Sequence, residues 1–144
     1  MIRVVLAVVL TVALLAAVTP AIEESRTART AMHLDRVTER VERAAHSLHT
    51  HEDATRPSVP GARRFVRFRL PERSWTAVDA RLWVDGEDDL VGYRLAGERP
   101  HRTTVPAVDL RTPDGRVVFG ASGRYRLRLS LVRTEGVGVV VARA

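Results

Sequence analysis

Arginines that alternate with apolar residues are the first feature of this chain with a chemical consequence. Arg67 and Arg69 interleave with Val66, Phe68 and Leu70, and Arg124, Arg126 and Arg128 interleave with Tyr125, Leu127 and Leu129. A guanidinium is always charged and presents a planar fork of donors to carboxylate or phosphate oxygens. If the two segments are strands that face the same way, these five arginines form a basic stripe that binds anionic groups, with Arg63, Arg64 and Arg73 extending it. The alternative is a solvated face whose charge is neutralised by Glu72, Asp79, Asp85, Asp88 and Asp89. A lipid headgroup or a surface polymer is the expected anion. Nucleic acid is not expected, because single-strand recognition also needs stacking aromatics, and Phe65, Trp75 and Trp83 belong to no recognisable motif.

Histidines offer the second possibility. Four of the five, His33, His46, His49 and His51, fall between residues 33 and 51. On a helix, His46 and His49 lie one turn apart and Glu42 one turn before His46, and imidazole with carboxylate suits a divalent metal. No second fixed ligand set accompanies them, and histidines near a helix C-terminus are favoured by the dipole alone, so no metal site is expected. Catalytic signatures are missing: no Gly-x-Ser-x-Gly elbow, no His-Glu-x-x-His pair, no glycine-rich phosphate loop. Asp88 and Asp89 are adjacent on a turn, and His101, Asp109 and Ser122 make a triad only on paper. The chain is expected to be no enzyme and to carry no cofactor.

Composition narrows the field further. The 144 residues contain no Cys, Lys, Asn or Gln, and all 23 basic residues are arginine against 17 acids, for a net charge of +6. Without Cys there are no disulfides, thiolate zinc sites or thiol catalysis; without Lys there is no Schiff base and no P-loop. Exclusive use of arginine also fits a GC-rich coding sequence. With 45% hydrophobic residues, one β-rich core of moderate size is affordable.

The elements that must position these residues begin with a membrane signal. Residues 4–18 have Thr11 as their only polar member, and the apolar run extends over residues 1–22. Twenty residues at 1.5 Å rise span roughly 30 Å, the thickness of a hydrocarbon core. An uncleaved, single-pass signal anchor is the expectation; a signal peptide cleaved after Ala21 and a buried helix are the alternatives. Counting arginines on the two sides favours a cytoplasmic C-terminus, whereas the layout of charged stub, apolar run and acids is that of an exported domain, which is the orientation expected.

Residues 23–51 read as a helical stalk. Leu34, Val37, Val41, Ala44 and Leu48 recur at spacings of three and four, the stripe of an amphipathic helix or a short coiled-coil seam, and Glu39 with Arg43 adds a favourable pair. Packing on the chain's own domain and lateral self-association fit this stripe equally well. Residues 52–62, with Pro57, Pro60 and Gly61, form a linker. Over residues 63–144 the period becomes two, and turns at 85–89, 97–100, 113–115 and 134–136 separate seven or eight short strands. An α+β chain follows: a transmembrane helix, an amphipathic stalk, and an antiparallel all-β domain built as an immunoglobulin-like sandwich or a compact barrel. The Gly123-x-Tyr125-x-Leu127-x-Leu129 string is similar to the late strand of such a sandwich.

This layout, with residues 4–18, 34–48 and 65–142 in order, resembles type IV pilin-like and archaellin-like subunits. The strings Val59-Pro60-Gly61-Ala62-Arg63-Arg64, Leu70-Pro71-Glu72-Arg73-Ser74-Trp75 and Gly123-Arg124-Tyr125-Arg126-Leu127 resemble, more narrowly, uncharacterised single-span proteins of haloarchaea found with pilus-type machinery. The chain departs from pilins in having no Gly or Ala to cut after before Val4 and no glutamate near the start of the apolar run, which points to an accessory protein that stays whole. The resemblance implies a non-catalytic structural or accessory subunit of a surface filament or envelope complex, with membrane lipid and envelope proteins as partners and self-association through the helix. The rival expectation is a tethered or secreted anion-binding module using the arginine stripe.

Overall fold

The computed structural model describes residues 1–144. A single helix, α1 (Ile2–His51), carries both the apolar run and the stalk without interruption. At 1.5 Å per residue it is about 75 Å long. Pro20 lies inside it and removes one amide donor, a loss that apolar helices tolerate when nearby groups compensate. The hydroxyls of Thr11 and Thr19 are satisfied internally, donating to the Ala7 and Leu15 carbonyls at 2.8 Å each. His49 and His51 occupy the last turn, where cations suit the dipole, and the chain becomes extended at Glu52.

Residues 2–25 of α1 are exposed throughout. From Thr30 the helix packs on the β domain: Leu34, Val37, Val41, Ala45 and Leu48 are fully buried, and Thr30 and Thr38 turn their hydroxyls back onto the Arg26 and Leu34 carbonyls. The expected seam is therefore corrected in two respects. Ala45 is the fully buried alanine and Ala44 packs only partly against the same core, because buried residues at 30, 34, 37, 38, 41, 45 and 48 follow the 3.6-residue period of a helix lying on a broad surface rather than the narrower 3.5-residue period of a two-helix seam. The surface it lies on belongs to the same chain: these side chains join one core with strands of both sheets, which removes Leu34, Val37, Val41 and Leu48 from any contact between copies. Burying each Leu or Val stabilises the docked helix by roughly 1.5–3 kcal/mol.

Eight strands follow: β1 (Arg63–Leu70), β2 (Ala80–Asp85), β3 (Leu90–Leu95), β4 (His101–Thr104), β5 (Leu110–Arg111), β6 (Val117–Phe119), β7 (Gly123–Arg133) and β8 (Val137–Arg143). They form two four-stranded sheets, ordered β1-β7-β8-β5 and β4-β3-β2-β6. Neither closes, so the barrel alternative is not realised. One pairing departs from the all-antiparallel expectation: β5 runs parallel to β8, with Leu110 opposite Val139. The sheets share a core in which Phe68 of β1 meets Phe119 of β6 edge to face, with ring centroids 5.1 Å apart. Near the start of β7 the Tyr125 hydroxyl donates to the Ala121 carbonyl, 2.9 Å away and four residues upstream, a link of the kind that fixes a strand corner in immunoglobulin-type sandwiches.

Strand β1 runs antiparallel to α1. Arg64 pairs with Glu52 at the helix C-terminus, at 2.8 Å, while the Arg69 carbonyl meets His33 Nε2 at 2.8 Å, five turns back towards the apolar run. The β domain thus hangs alongside the second half of the helix, one end near the apolar run and the other beyond His51.

Candidate anion-binding face

The period-two pattern of β1 and β7 buries Val66, Phe68 and Leu70 with Leu127, Leu129 and Leu131, so the intervening residues must point away from the core. Register decides whether they meet. Arg67 pairs with Arg126, Arg69 with Arg124, Phe65 with Arg128 and Arg63 with Ser130. All five arginines singled out by the pattern, Arg67, Arg69, Arg124, Arg126 and Arg128, therefore share one outward sheet face, together with Arg63.

No acidic side chain pairs with them. Of the carboxylates expected to do so, Asp85 binds Arg116 at 2.5 Å, Asp79 lies in the groove of Arg81 and Arg94, and Asp89 accepts from the Leu110 amide; no side-chain ion pair reaches the five arginines. The one stabilising contact on the ladder is aromatic, with the Arg126 guanidinium 4.9 Å from the centre of the Phe65 ring. Like charges directly opposite each other on antiparallel strands are destabilising. The opposite sheet makes the contrast useful. Arg81 and Arg94 also face each other in register, a pair the sequence pattern did not single out, but their groove contains Asp79 and Glu98.

Beyond the far end of the ladder, Arg63 and Arg128 help line a cleft of about 850 Å³ together with Arg111, Arg116, Thr112 and Ser130. Two of these cations are already engaged. Arg111 is held by Asp109 and Thr134 and lies flat over Gly138, where a Cβ would come within 2.6 Å of its Nε. Arg116 is held by Asp85. The Asp85 side chain is buried, which on its own would favour the neutral acid, but hydrogen bonds from Arg116 and from the Glu87 and Asp88 amides outweigh this and hold its carboxyl below the ordinary range.

The remaining chemical candidates do not assemble. Glu42 and His46 stay together on one surface of α1, but no group of three or more ligating side chains forms there or elsewhere. His101 stacks on Tyr93, with ring centroids 5.0 Å apart, and faces Asp35 at 3.9 Å, while Asp109 is engaged by Arg111; no hydrogen bond joins His101, Asp109 and Ser122. The Tyr93 hydroxyl donates to Asp35 at 2.7 Å, and burial together with that carboxylate keeps the phenol protonated well above its usual range.

Ahead of the β domain, α1 is long and apolar enough to cross a membrane, with a mean hydropathy of 2.6 over its most apolar window and none of that window buried. No curated protein and no solved structure matches the chain. A family model described as a domain of unknown function, DUF7311, matches residues 1–144, and the protein belongs to that family.

Proposed function

We propose that the chain is a membrane-tethered, non-catalytic module that presents an arginine ladder to a polyanionic partner in the cell envelope, with the β domain on the outer side of the membrane. One observation carries this reading: Arg67, Arg69, Arg124, Arg126 and Arg128 are brought onto one face in register, at a cost in strand pairing, with no acidic side chain among them. Successive rungs lie about 7 Å apart, two residues along a strand. Because β1 is antiparallel to α1, the ladder climbs from the level of His33 to that of Glu52, away from the apolar run. A flat bilayer would meet only its lower rungs, whereas an extended chain of carboxylates or phosphates can follow its length. The test is binding of the full chain, in micelles of neutral detergent, to immobilised polyglutamate. Binding that falls steeply with added salt, and is lost when the five arginines are changed to Ser, is expected. Salt-insensitive binding, or retention by the five-fold variant, overturns it.

A pilin-like accessory subunit, of the kind found beside haloarchaeal filament machinery, is favoured by a different observation. The apolar run is exposed around its whole circumference, so it is open to partner helices as well as to lipid. The stripe from Leu34 to Leu48 has no part in this version. Single-cysteine variants at Leu6 or Val9, in a chain that has no other Cys, should form disulfide-linked dimers in native membranes if these helices pack. Their absence on oxidation removes self-association from the reading.

A further inference from the structure

Trp75 is the most exposed large apolar side chain of the β domain, at 82%. Its main chain is nevertheless tightly held. Arg26 Nε donates to the Trp75 carbonyl at 2.8 Å, and the Val78 amide donates to Thr30 Oγ1 at 3.2 Å, so two points of the loop are clamped to α1 one helical turn apart. The loop is closed on itself by the Ser74 amide to the Ala77 carbonyl at 3.0 Å. Arg26 is itself fixed by Glu23 at 2.6 Å and lies 5.9 Å from the centre of the indole. The fold thus positions an indole with care and then leaves it uncovered.

The height at which it is held gives the reason. Arg26 lies four residues past Ile22, the end of the apolar run, or about 6 Å further along the helix axis. The headgroup layer beyond the hydrocarbon core is about 5–8 Å thick on each side. Tryptophan is enriched in that layer, where the ring meets apolar and wet surroundings at once. Arg29 and Arg73, exposed on the helix and on the loop, add cations where lipid phosphates lie. We propose that Trp75 is a membrane-interface anchor: the 71–79 loop, clamped to α1, places its indole in the headgroup layer of the bilayer that the apolar run crosses, and so seats the β domain on the membrane at one end. This rests on the membrane-span reading of α1.

The experiment uses the full chain with Trp83→Phe, reconstituted in phosphatidylcholine vesicles, so that Trp75 is the sole emitter. Lipids brominated near the headgroup should quench its emission strongly, lipids brominated near the chain ends only weakly, and aqueous iodide should have little access. Free quenching by iodide with no effect of shallow bromine overturns the proposal. Protection from iodide without quenching by bromolipid overturns it too, since protein then covers the ring. If Trp83→Phe does not fold, the difference between the unaltered chain and Trp75→Phe reports the same residue. A chain carrying Val12→Trp with both native tryptophans changed to Phe separates the two failures: deep bromine must quench it if α1 spans the bilayer, and if it does not, the span falls and the anchor with it.

Discussion

Arg67 of β1 stands directly opposite Arg126 of β7, and Arg126 rests its guanidinium over Phe65 and pairs with no acidic side chain. Two cations in register cost stability, and an acid in place of one would convert repulsion into attraction, a gain on the order of 0.2–1 kcal/mol. Arg67→Glu is therefore expected to raise the urea midpoint of the β domain while weakening binding to polyglutamate. Opposite movement of stability and binding is the mark of a residue kept for its ligand. A midpoint that stays level or falls would mean that the ladder carries no strain to relieve.

Leu34 reports whether the stalk stripe is intramolecular. It is fully buried in the shared core, so Leu34→Ala should cost about 2–5 kcal/mol and lower the urea midpoint with no change in oligomeric size. Val41→Asp, which places a charge in the same core, should prevent the domain from folding. Met32, exposed on the opposite side of α1, should tolerate Ala within about 0.5 kcal/mol. Dissociation of an oligomer by Leu34→Ala with the midpoint intact would restore the intermolecular seam.

What the sequence made legible was periodic. Strand β7 announces itself because Tyr125, Leu127, Leu129 and Leu131 alternate with Arg124, Arg126, Arg128 and Ser130, and α1 because no Gly breaks it. Short or partnered features were harder to read. Ala44 and Ala45 are adjacent and identical, and only the surface beneath the helix decides which is buried. Strand β5 is two residues long, too short for a period, and its parallel pairing depends on where β8 lies. The five arginines could be named from alternation, but their common face is a consequence of register. Trp75 carried no local signal at all: its meaning depends on Arg26 and Thr30, nearly fifty residues away.

Gly92 is required by its cross-strand neighbour. It lies opposite Trp83, and a Cβ there would come within 2.5 Å of the indole Cζ2. Because β3 is paired on both sides, by β2 and β4, the backbone has little freedom to retreat. Gly92→Ala should cost about 1–3 kcal/mol through forced displacement of the ring. Combining it with Trp83→Leu should recover part of that loss in a double-mutant cycle, whereas simple additivity would locate the strain elsewhere.

Asp85 and Arg116 should make the far end of the domain sensitive to acid. The Asp85 carboxyl is held below its ordinary value of 3.8 despite burial, by the Arg116 hydrogen bond and charge and by the Glu87 and Asp88 amides. In the unfolded chain the group titrates at that ordinary value, so over the interval below it the unfolded state binds more protons and stability rises with pH. The contribution is thus complete above the unfolded pKa and is lost as pH falls through the lower, folded one. Asp85→Asn should reduce the urea midpoint at pH 7, and the difference from the unaltered chain should shrink on acidification below about pH 4. Other carboxylates titrate in both proteins and cancel in that difference. A gap that stays constant down to pH 2.5 would show that Asp85 contributes through shape and hydrogen bonding alone, with no share from its charge.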